Sequence, residues 1–570
     1  MRGGPVVAQH EAAGRVEGVR LGVRFAPGAS SDASERAAAS NLHLAEGPLR
    51  VGAQRLGPLE LRLGADLAGE HAELDVALRN TSQAPVHVDA VILGFRWIGA
   101  PAGSLRFLKH GWQSWSFTGS RALDDAGEPA FPSGPWLRGL HHAVGEPPAD
   151  RRGWHESDLV SVVGASAGGP ACLAGVLEQG LAFGVVYLRR DDAGVRVELE
   201  LRLEAPLAPG AALAPELVRV ALGDDAVRLL ERHAEAHGRA AGARTSAPFQ
   251  AGWCSWYHFF HDVTEEALLR NLDALARHRA DIPIDLVQLD DGYQRAIGDW
   301  LETNDKFPRG LAPVAAAIRD AGFRAGLWTA PFCVVRESRL FSQRPDWLLR
   351  RDGEPALGLL HPAWTADARV YALDPSRDDV REHLERTHAA IRALGFGYQK
   401  LDFLYVVATR ADAADPAQTR AQRLRRGLEA VRAGAGEDAF LLGCGCPLGP
   451  AVGLVDGMRI GPDVAPHWFP QPEPKIAGIE ETVPSTRSAL RSTYARAFQH
   501  RRLWLNDPDC FMARTRDTGL SASEVESLAA AIAVTGGMTL FSDDFGALSA
   551  DDLARVRELI RVAREVDAGG

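Results

Sequence analysis

The hexapeptide Tyr398-Gln399-Lys400-Leu401-Asp402-Phe403 ends an apolar run with a lysine and an aspartate two residues apart. Side chains of an extended strand alternate between its two faces, so Lys400 and Asp402 project to the same side. Of the 63 basic residues in the chain only four are lysine. A lysine in this place therefore indicates a site that needs a compact, three-donor ammonium, and we expect it to pair with Asp402.

A second polar strand end is Met458-Arg459-Ile460-Gly461-Pro462-Asp463. Asp463 follows a Gly-Pro turn, so its pairing with Arg459 depends on how the chain folds back, and the sequence leaves its protonation open. A fixed anion facing a tunable acid is what a glycosidase needs, with a nucleophile on one side of the sugar carbon and a proton donor on the other. Taken singly, either residue is more often a solvated or salt-bridged surface residue.

The composition is that of a soluble globular protein. The chain has 570 residues, of which 46% are hydrophobic and 24% charged, which predicts two or three domains. A net charge of -11 with no basic run argues against a nucleic-acid partner. The first 18 residues lack the apolar core of a secretory signal and no apolar run of about 18 residues occurs, so we expect a cytoplasmic protein without a membrane span.

The six cysteines are too few for a disulfide scaffold. Cys444-Gly445-Cys446 lacks the spacing of a metal site, and no histidine lies close by in sequence. We interpret these cysteines as small buried or pocket-lining residues, with metal binding as the alternative.

Residues 1–223 are predicted to form an N-terminal domain. Short runs of alternating apolar and polar residues, such as 72–78, 86–97 and 197–203, are separated by Gly, Pro and Asp. This pattern predicts an antiparallel β-sandwich. Within it lies an aromatic decapeptide, residues 110–119, whose Trp112 and Trp115 are either core residues or part of a loop that reaches a neighbouring sugar pocket.

Residues 224–248 predict a linker helix, with Asp224 as its cap, followed by a hinge of small residues. From residue 249 to 570, apolar strands alternate with amphipathic helices. Eight such units predict a (β/α)8 TIM barrel. The predicted strands are Gln250–Ser255, Asp285–Asp291, Arg324–Pro331, Tyr398–Phe403, Phe440–Cys446, Gly457–Asp463, Leu503–Asp509 and Met538–Asp544. The segment Glu337–Asp374, between the third and fourth strands, is longer than a usual connection and is expected to form an excursion near the pocket.

Polar residues recur at the carboxyl ends of these strands, the face where barrels of this type carry their active sites. They include Asp290, Asp291, Trp328, Lys400, Asp402, Cys444, Arg459 and Asp463. Adjacent carboxylates at Asp290-Asp291-Gly292 suit a bidentate grip on neighbouring sugar hydroxyls if the glycine turns the chain. A magnesium or manganese site is the competing interpretation of this pair.

Five motifs together resemble the α-galactosidases of glycoside hydrolase family 36, the melibiase group. They are Gly252-Trp253-Cys254-Ser255-Trp256-Tyr257, Leu289-Asp290-Asp291-Gly292-Tyr293, Leu327-Trp328-Thr329-Ala330-Pro331, Lys400-Leu401-Asp402 and Arg459-Ile460-Gly461-Pro462-Asp463. The resemblance covers about residues 112–544. It implies an N-terminal β-supersandwich, a catalytic barrel, and retaining double displacement on terminal α-galactosides without metal or cofactor.

The resemblance also implies roles for single residues. Asp402 is expected to be the nucleophile and Asp463 the acid/base. Galactose hydroxyls are expected to be held by Asp290, Asp291, Lys400 and Arg459. Trp328 is expected to line the ring site, and Cys444 to lie near the far side of the sugar.

Two departures from the family pattern keep alternatives open. We expect the chain to lack the C-terminal β-domain common in the family, which leaves open whether it forms a homo-oligomer. Residues 443–447 differ from the corresponding loop of better-known members, where substituents on the second sugar carbon would lie. An α-N-acetylgalactosaminidase, a raffinose-type galactosyltransferase and a non-catalytic sugar-binding protein therefore remain alternatives.

Overall fold

The structure is a computed structural model, and it describes residues 6–10, 14–25, 49–50, 54–124, 151, 153–166, 168–214, 216–471 and 482–569. The predicted sandwich also spans residues 26–48 and 125–150, which lie outside the described residues.

The N-terminal part consists of two antiparallel sheets. One has the strand order β1-β2-β7-β14-β13-β10, and the other runs β3-β5-β6-β16-β12-β11-β8-β9, with β4 and β15 added to β5 and β6. The strands are β1 (Val6–His10), β2 (Gly14–Phe25), β3 (Leu49–Arg50), β4 (Gln54–Leu56), β5 (Leu59–Ala68), β6 (His71–Asn80), β7 (Val86–Ile98), β8 (Leu105–Lys109), β9 (Gly119–Ala122), β10 (His155–Asp158), β11 (Val160–Ala165), β12 (Ala171–Val176), β13 (Phe183–Asp191), β14 (Gly194–Leu207), β15 (Ala212–Leu213) and β16 (Val218–Gly223).

The sandwich follows from the period-two pattern of its strands. In β5 and β6 buried residues alternate with more exposed ones, and Leu61, Leu63, Leu74 and Val76 belong to the apolar layer between the sheets. Burying one face of each sheet against the other is the main favourable term available to such strands. The predicted antiparallel sandwich is confirmed.

Helix α1 (Ala226–Ala241) connects the sandwich to the second part of the chain. Its N-cap is Asp225, whose carboxylate accepts hydrogen bonds from the backbone N–H groups of Val227 and Arg228. The prediction that Asp224 is the cap was wrong by one residue, because only the side chain at position 225 lies where it can reach those N–H groups.

The second part is built around eight parallel strands with intervening helices. Its strands are β17 (Ala251–Cys254), β18 (Leu286–Leu289), β19 (Arg324–Thr329), β20 (Cys333–Val334), β21 (Arg350–Arg351), β22 (Glu354–Pro355), β23 (Leu357–Leu360), β24 (Arg369–Ala372), β25 (Phe396–Leu401), β26 (Phe440–Gly443), β27 (Gly457–Arg459), β28 (Leu505–Asp507) and β29 (Thr539–Phe541). The helices are α2 (Trp256–Phe259), α3 (Glu265–His278), α4 (Leu311–Asp320), α5 (Arg339–Gln343), α6 (Asp378–Leu394), α7 (Arg420–Ala435), α8 (Leu448–Ala451), α9 (Thr486–Ala495), α10 (Ala522–Thr535) and α11 (Ala550–Gly569). No helix of the described residues is long and apolar enough to cross a membrane.

The parallel strands follow the order β28-β27-β26-β25-β19-β18-β17-β29. The seam between β28 and β29 is closed by the chain just after β28, where Phe511 forms a parallel bridge with Phe541, and by the Met538 N–H, which donates to the Asn506 carbonyl at 2.8 Å. The result is a nearly closed (β/α)8 barrel.

All eight predicted barrel strands are present, but most are shorter than predicted. Five of the polar residues at the carboxyl ends lie beyond the last ladder pair, namely Asp290, Asp291, Asp402, Cys444 and Asp463, whereas Trp328, Lys400 and Arg459 lie within the ladders. Because a residue beyond the ladder is not bound to the pleat, its side chain can turn towards the barrel axis. The predicted excursion after the third barrel strand is also present and contains α5 and the strands β20–β24.

The aromatic decapeptide of the sandwich joins the two parts of the chain. The Ser114 N–H donates to the Cys446 carbonyl at 3.0 Å, and Gln113 forms an antiparallel bridge with Pro447. Arg496 is fully buried, and its guanidinium donates to the backbone carbonyls of Gly111, Gln113, Ser114 and Ile460. One side chain thus ties the decapeptide to the sixth barrel strand, since Ile460 follows β27 directly.

Candidate active site

Lys400 lies between two carboxylates at the carboxyl end of β25. Its ammonium is 2.9 Å from Asp290 Oδ2 and 3.9 Å from Asp402 Oδ2. Burial alone would lower the pKa of the ammonium, but Asp290 and Asp402 raise it well above its ordinary value. The expected pairing with Asp402 therefore exists only at longer range, and the direct partner of Lys400 is Asp290 across the barrel.

Asp402 is held by two hydrogen-bond donors. The indole Nε1 of Trp328 donates to its Oδ2 at 3.1 Å, and the Phe403 N–H donates to its Oδ1 at 2.8 Å. The carboxyl group is buried, with 8% of its side chain exposed. Trp328, predicted to line a sugar ring, therefore also orients the predicted nucleophile.

The backbone next to Asp402 is tightly enclosed. Phe403 has a φ of 53°, in the left-handed region, and the facing Gly445 has a φ of 50°. A Cβ added at Gly445 would lie 3.0 Å from the Phe403 backbone and 3.0 Å from Cη2 of Trp115. The glycine is required here because the loop after β26, the nucleophile segment and the sandwich loop meet at one point.

The two tryptophans of the sandwich loop have different surroundings. Trp115 contacts the Phe403 ring edge-on at a centroid distance of 4.9 Å, so it borders the site. Trp112 is buried and packs edge-on against Phe183 at 5.7 Å, while its carbonyl accepts from the Leu448 N–H. These contacts give Trp112 a packing role at the junction of the two parts of the chain, and its contribution to a sugar pocket stays a prediction.

Asp290 and Asp291 have different partners, and the chain turns directly after them at Gly292, which has a φ of 120°. Asp290 faces Lys400, whereas Asp291 accepts hydrogen bonds from Trp364 Nε1 at 2.7 Å and Gln294 Nε2 at 2.6 Å. His261 Nδ1 lies 3.3 Å from Asp291 Oδ2. Burial raises the pKa of Asp291, and these partners oppose the rise.

Arg459 contacts three carboxylates. Its Nε lies 3.0 Å from Asp507, its Nη1 2.8 Å from Asp463 and its Nη2 2.7 Å from Asp509. The guanidinium fork is therefore largely committed to protein carboxylates. Its predicted role in binding a sugar hydroxyl stays a prediction. Only the N–H groups that do not contact these carboxylates are available for that role.

Asp463 is the most accessible carboxylate of the group, with 32% of its side chain exposed. Burial raises its pKa above the ordinary value, Arg459 and Lys400 lower it, and Asp402 and Asp290 raise it further. Lys400, Asp402 and Asp290, which lie at the ends of other strands, thus act on Asp463, so Asp463 interacts electrostatically with Asp402.

Cys444 is fully buried, and its N–H donates to the Leu401 carbonyl at 2.8 Å. Burial raises the pKa of its thiol well above the ordinary value, and Asp402 adds to the rise. The thiol is neutral at physiological pH. Its predicted position near the far side of the sugar stays a prediction.

Sequence reasoning missed four side chains of this site: Tyr257, His261, Trp364 and Asp509. Trp364 lies in the excursion after the third barrel strand, which the sequence did place near the pocket. Asp509 stands two residues after Asp507 at the end of the seventh strand, a position that the clustering of acids at strand ends could have marked. Tyr257 and His261 follow β17, where the sequence offered only aromatic residues without a clear partner.

The site holds more negative than positive groups. Among the described residues it gathers six aspartates, at 290, 291, 402, 463, 507 and 509, around the permanent cations Lys400 and Arg459. Two cations cannot neutralise six carboxylates, five of which are buried. Burial is the main cause of the raised pKa values of Asp291, Asp463 and Asp509, and neighbouring carboxylates add to the rise. No group of three or more His, Cys, Asp or Glu in the part of the chain that the structure describes is arranged to hold a metal ion.

Comparison with known proteins agrees with this architecture. A family model described as Melibiase matches residues 253–424. An α-galactosidase from Thermus thermophilus, solved in complex with stachyose, superposes with a TM-score of 0.69 and 31% sequence identity over 90% of this chain and 99% of that chain. The chain belongs to the melibiase family, the α-galactosidases of glycoside hydrolase family 36.

More distant relatives of this melibiase are similar over shorter stretches or in fold alone. The curated α-galactosidase AgaA of Geobacillus stearothermophilus is 30% identical over 146 residues, which is 24% of this chain and 18% of that protein. Its crystal structure, a family 36 α-galactosidase, superposes with a TM-score of 0.63 at 13% identity, covering 97% of this chain and 76% of that chain. The sequence alignment with this curated relative thus spans less than a fifth of its length, while the fold matches over most of both chains.

We predict that Gly445→Ala destabilises this melibiase by about 2 kcal/mol or more. A left-handed φ costs a residue with a Cβ about 1–2 kcal/mol, and the new methyl group would also press on Phe403 and Trp115. The measurement is the free energy of unfolding in urea. The matched control is Gly242→Ala, because Gly242 has a φ of 67° with no atom within 4 Å of its added Cβ. Equal losses in both variants would contradict the close contact at Gly445.

Proposed function

We propose that this protein is a retaining α-galactosidase that hydrolyses terminal α-D-galactosyl residues by double displacement, with Asp402 as nucleophile and Asp463 as acid/base. The supporting observation is the contrast between these two carboxylates. Asp402 is buried and fixed by Trp328 and the Phe403 N–H, whereas Asp463 is more accessible and has a raised pKa. A fixed nucleophile and a protonated acid are the two parts that the reaction requires.

In the first step Asp463 donates its proton to the glycosidic oxygen while Asp402 attacks the anomeric carbon. The bond from that carbon to the leaving group breaks, and a glycosyl ester with Asp402 forms. In the second step Asp463, now ionised, removes a proton from water, whose oxygen displaces Asp402 from the anomeric carbon. Two inversions at one carbon release the sugar with its original configuration, and both carboxyl groups return to their starting states.

The remaining polar residues supply the binding of the sugar. Asp290 and Asp291 offer carboxylate oxygens to sugar hydroxyls from two positions, since one is anchored on Lys400 and the other on Trp364 and Gln294. Lys400, anchored on Asp290, presents its remaining donor hydrogens next to Asp402. Trp364 and His261 orient Asp291 and border the same region. Charge-assisted bonds of this kind contribute about 1.5–3 kcal/mol each.

The choice of galactose rests on the relatives. The Thermus thermophilus α-galactosidase was solved with stachyose and with p-nitrophenyl α-D-galactopyranoside. We carry this sugar class over to the present chain because the match at 31% identity covers that whole protein. The proposal is tested against three alternatives: hydrolysis of N-acetylgalactosaminides, galactosyl transfer, and sugar binding without catalysis.

The decisive experiment compares p-nitrophenyl α-glycosides of galactose, N-acetylgalactosamine, glucose and arabinose as substrates. We expect the galactoside to have the highest kcat/KM and the first product observed by NMR to be α-galactose. A preference for the N-acetyl sugar would change the assigned glycone. β-Galactose as the first product would refute the retaining mechanism, and no turnover of any glycoside would favour a binding protein.

Asp402→Asn is expected to lower kcat on the preferred aryl glycoside by a factor of about 10⁴ or more, because it removes the attacking oxygen while keeping the shape of the side chain. Sugar binding, followed by calorimetry with galactose, should persist. In the wild-type protein a mechanism-based fluorosugar should label Asp402, which peptide mass spectrometry would locate. Wild-type activity in this variant would end the proposal.

Asp463→Ala is expected to lower kcat/KM most for substrates with poor leaving groups. General acid catalysis contributes about 10²–10⁴-fold, and a leaving group such as dinitrophenolate does not need it. Added azide should raise the rate on the dinitrophenyl substrate and yield α-galactosyl azide, because the small anion replaces the base-assisted water and displaces Asp402 with a second inversion. Equal losses on all leaving groups, with no azide product, would assign the acid/base role elsewhere.

A further inference from the structure

Asp509 is a carboxylate that the proposed reaction does not use, yet it is bound from every side. It lies after β28 and is 1% exposed. Its Oδ2 accepts hydrogen bonds from the Tyr257 hydroxyl and from the Val464 N–H at 2.8 Å. Its Oδ1 accepts from the Cys510 N–H at 2.7 Å and lies 2.7 Å from Nη2 of Arg459.

The backbone at Asp509 is held in an unfavourable conformation. Its φ of 78° lies in the left-handed region, which non-glycine residues adopt at a cost of about 1–2 kcal/mol. Strain of this kind persists where surrounding contacts over-determine a residue, and such residues concentrate at functional sites. The four donors around the carboxylate are those contacts.

We propose that Asp509 is the positioning residue of the acid/base Asp463, holding it through the Val464 amide and through Arg459 and acting on it with its negative charge. The inference rests on the proposed function, since it takes Asp463 as the acid/base. Asp509 is buried away from the substrate, so its action on the reaction passes through Asp463.

The positioning argument comes from two independent links. Val464 follows Asp463 directly, so the hydrogen bond from its N–H to Asp509 fixes the peptide that carries the acid/base. Arg459 binds Asp509 with one nitrogen and Asp463 with another. The main chain and the side chain of Asp463 are thus both linked to the carboxylate of Asp509, one through the Val464 N–H and the other through Arg459. A proton donor must be placed accurately, because a shift of about 1 Å can lower the rate about 10²-fold. We therefore expect loss of the two links to Asp509 to lower the rate.

The charge of Asp509 adds a second effect. The charged groups that face it are Arg459 on β27, Asp463 after β27, Asp507 on β28 and Lys400 on β25, while the Tyr257 hydroxyl after β17 and the Cys510 thiol border it as neutral groups. Burial raises the pKa of Asp509 to about 6, against the lowering effect of Arg459. Its two oxygens face four donors, among them the Arg459 guanidinium, and these donors favour the ionised form. A negative charge beside Asp463 disfavours the loss of its proton, so an ionised Asp509 helps Asp463 to remain an acid.

Tyr257 supports this arrangement from helix α2, which follows the first barrel strand. Its hydroxyl donates to Asp509, and its N–H is held by Ser542 Oγ at 2.8 Å. Burial raises the pKa of this phenol well above its ordinary value, with Asp463 and Asp509 adding to the rise, so it stays a donor. Removing the hydroxyl takes one hydrogen bond from the ionised form of Asp509 and leaves its links to Val464 and Arg459 in place.

The test measures kcat/KM against pH for Asp509→Asn and Tyr257→Phe, with phenyl and dinitrophenyl galactosides. Activity requires a protonated Asp463, so the alkaline limb of the profile reports its pKa in the free enzyme. Losing the charge of Asp509 lowers that pKa, and the alkaline limb should move to lower pH by about one unit in Asp509→Asn. kcat/KM should fall about 10- to 100-fold on the phenyl substrate and much less on the dinitrophenyl substrate. Tyr257→Phe should shift the alkaline limb and lower kcat/KM in the same directions, but by smaller amounts.

The matched control is Asp374→Asn. Asp374 is also buried and accepts from two backbone N–H groups, those of Ser376 and Ala414, but it lies outside the site. The Asp374→Asn variant should be less stable than the wild-type protein. Its profile of kcat/KM against pH and its ratio of activities on the phenyl and dinitrophenyl substrates should not change. If Asp509→Asn does not fold, Tyr257→Phe carries the test.

The possible outcomes separate the two proposals. If Asp402 is labelled by the fluorosugar and Asp463→Ala is rescued by azide, but neither Asp509→Asn nor Tyr257→Phe shifts the alkaline limb, the positioning role is refuted and the proposed function stands. If the labelling and the rescue both fail, the proposed function itself is refuted. A shifted limb with a selective loss on the phenyl substrate supports the role of Asp509.

Discussion

The buried guanidinium of Arg459 is the interaction on which the geometry of this site depends. It binds carboxylates from the sixth and seventh barrel strands, Asp463, Asp507 and Asp509, at distances between 2.7 and 3.0 Å. Without it, three acids would face each other in a buried place, where like charges repel strongly and ionised groups are poorly solvated. A planar fork that serves several acceptors at fixed angles meets this need, whereas a lysine would bind as a point charge.

Lys400 does the corresponding work on the other side of the barrel, between the second and fourth strands. It links Asp290 to the neighbourhood of Asp402, and its raised pKa follows from those two carboxylates. The two cations divide the acids into two groups, one around Asp402 and one around Asp463. The acids still outnumber the cations, and that excess raises the pKa values of several of them. A proton donor and a fixed nucleophile can thus arise from the same residue type, aspartate, through different surroundings.

The sandwich takes part in building the site. Its aromatic decapeptide pairs with the loop after the fifth barrel strand and is gripped by Arg496, which donates to carbonyls of both parts of the chain. Through this contact Trp115 reaches Phe403, the residue after the predicted nucleophile. At the same junction, Gly445 leaves little room for a Cβ between the Phe403 backbone and Trp115. Family membership accounts for the general fold, while these contacts explain why the sandwich and the barrel must be placed accurately with respect to each other.

The sequence by itself determined the two-part architecture, the eight barrel strands and most of the acids at their carboxyl ends. These features follow from local periodicity, and parallel strands bring all their carboxyl ends to one edge whatever the details of packing. Only the tertiary structure decided which groups pair. Lys400 contacts Asp290 more closely than Asp402, and Arg459 binds Asp507 and Asp509 in addition to Asp463, because strand register and the turns beyond each ladder set these distances. Asp509, Tyr257 and Trp364 were missed for the same reason, since each acquires its partner from a segment far away in sequence.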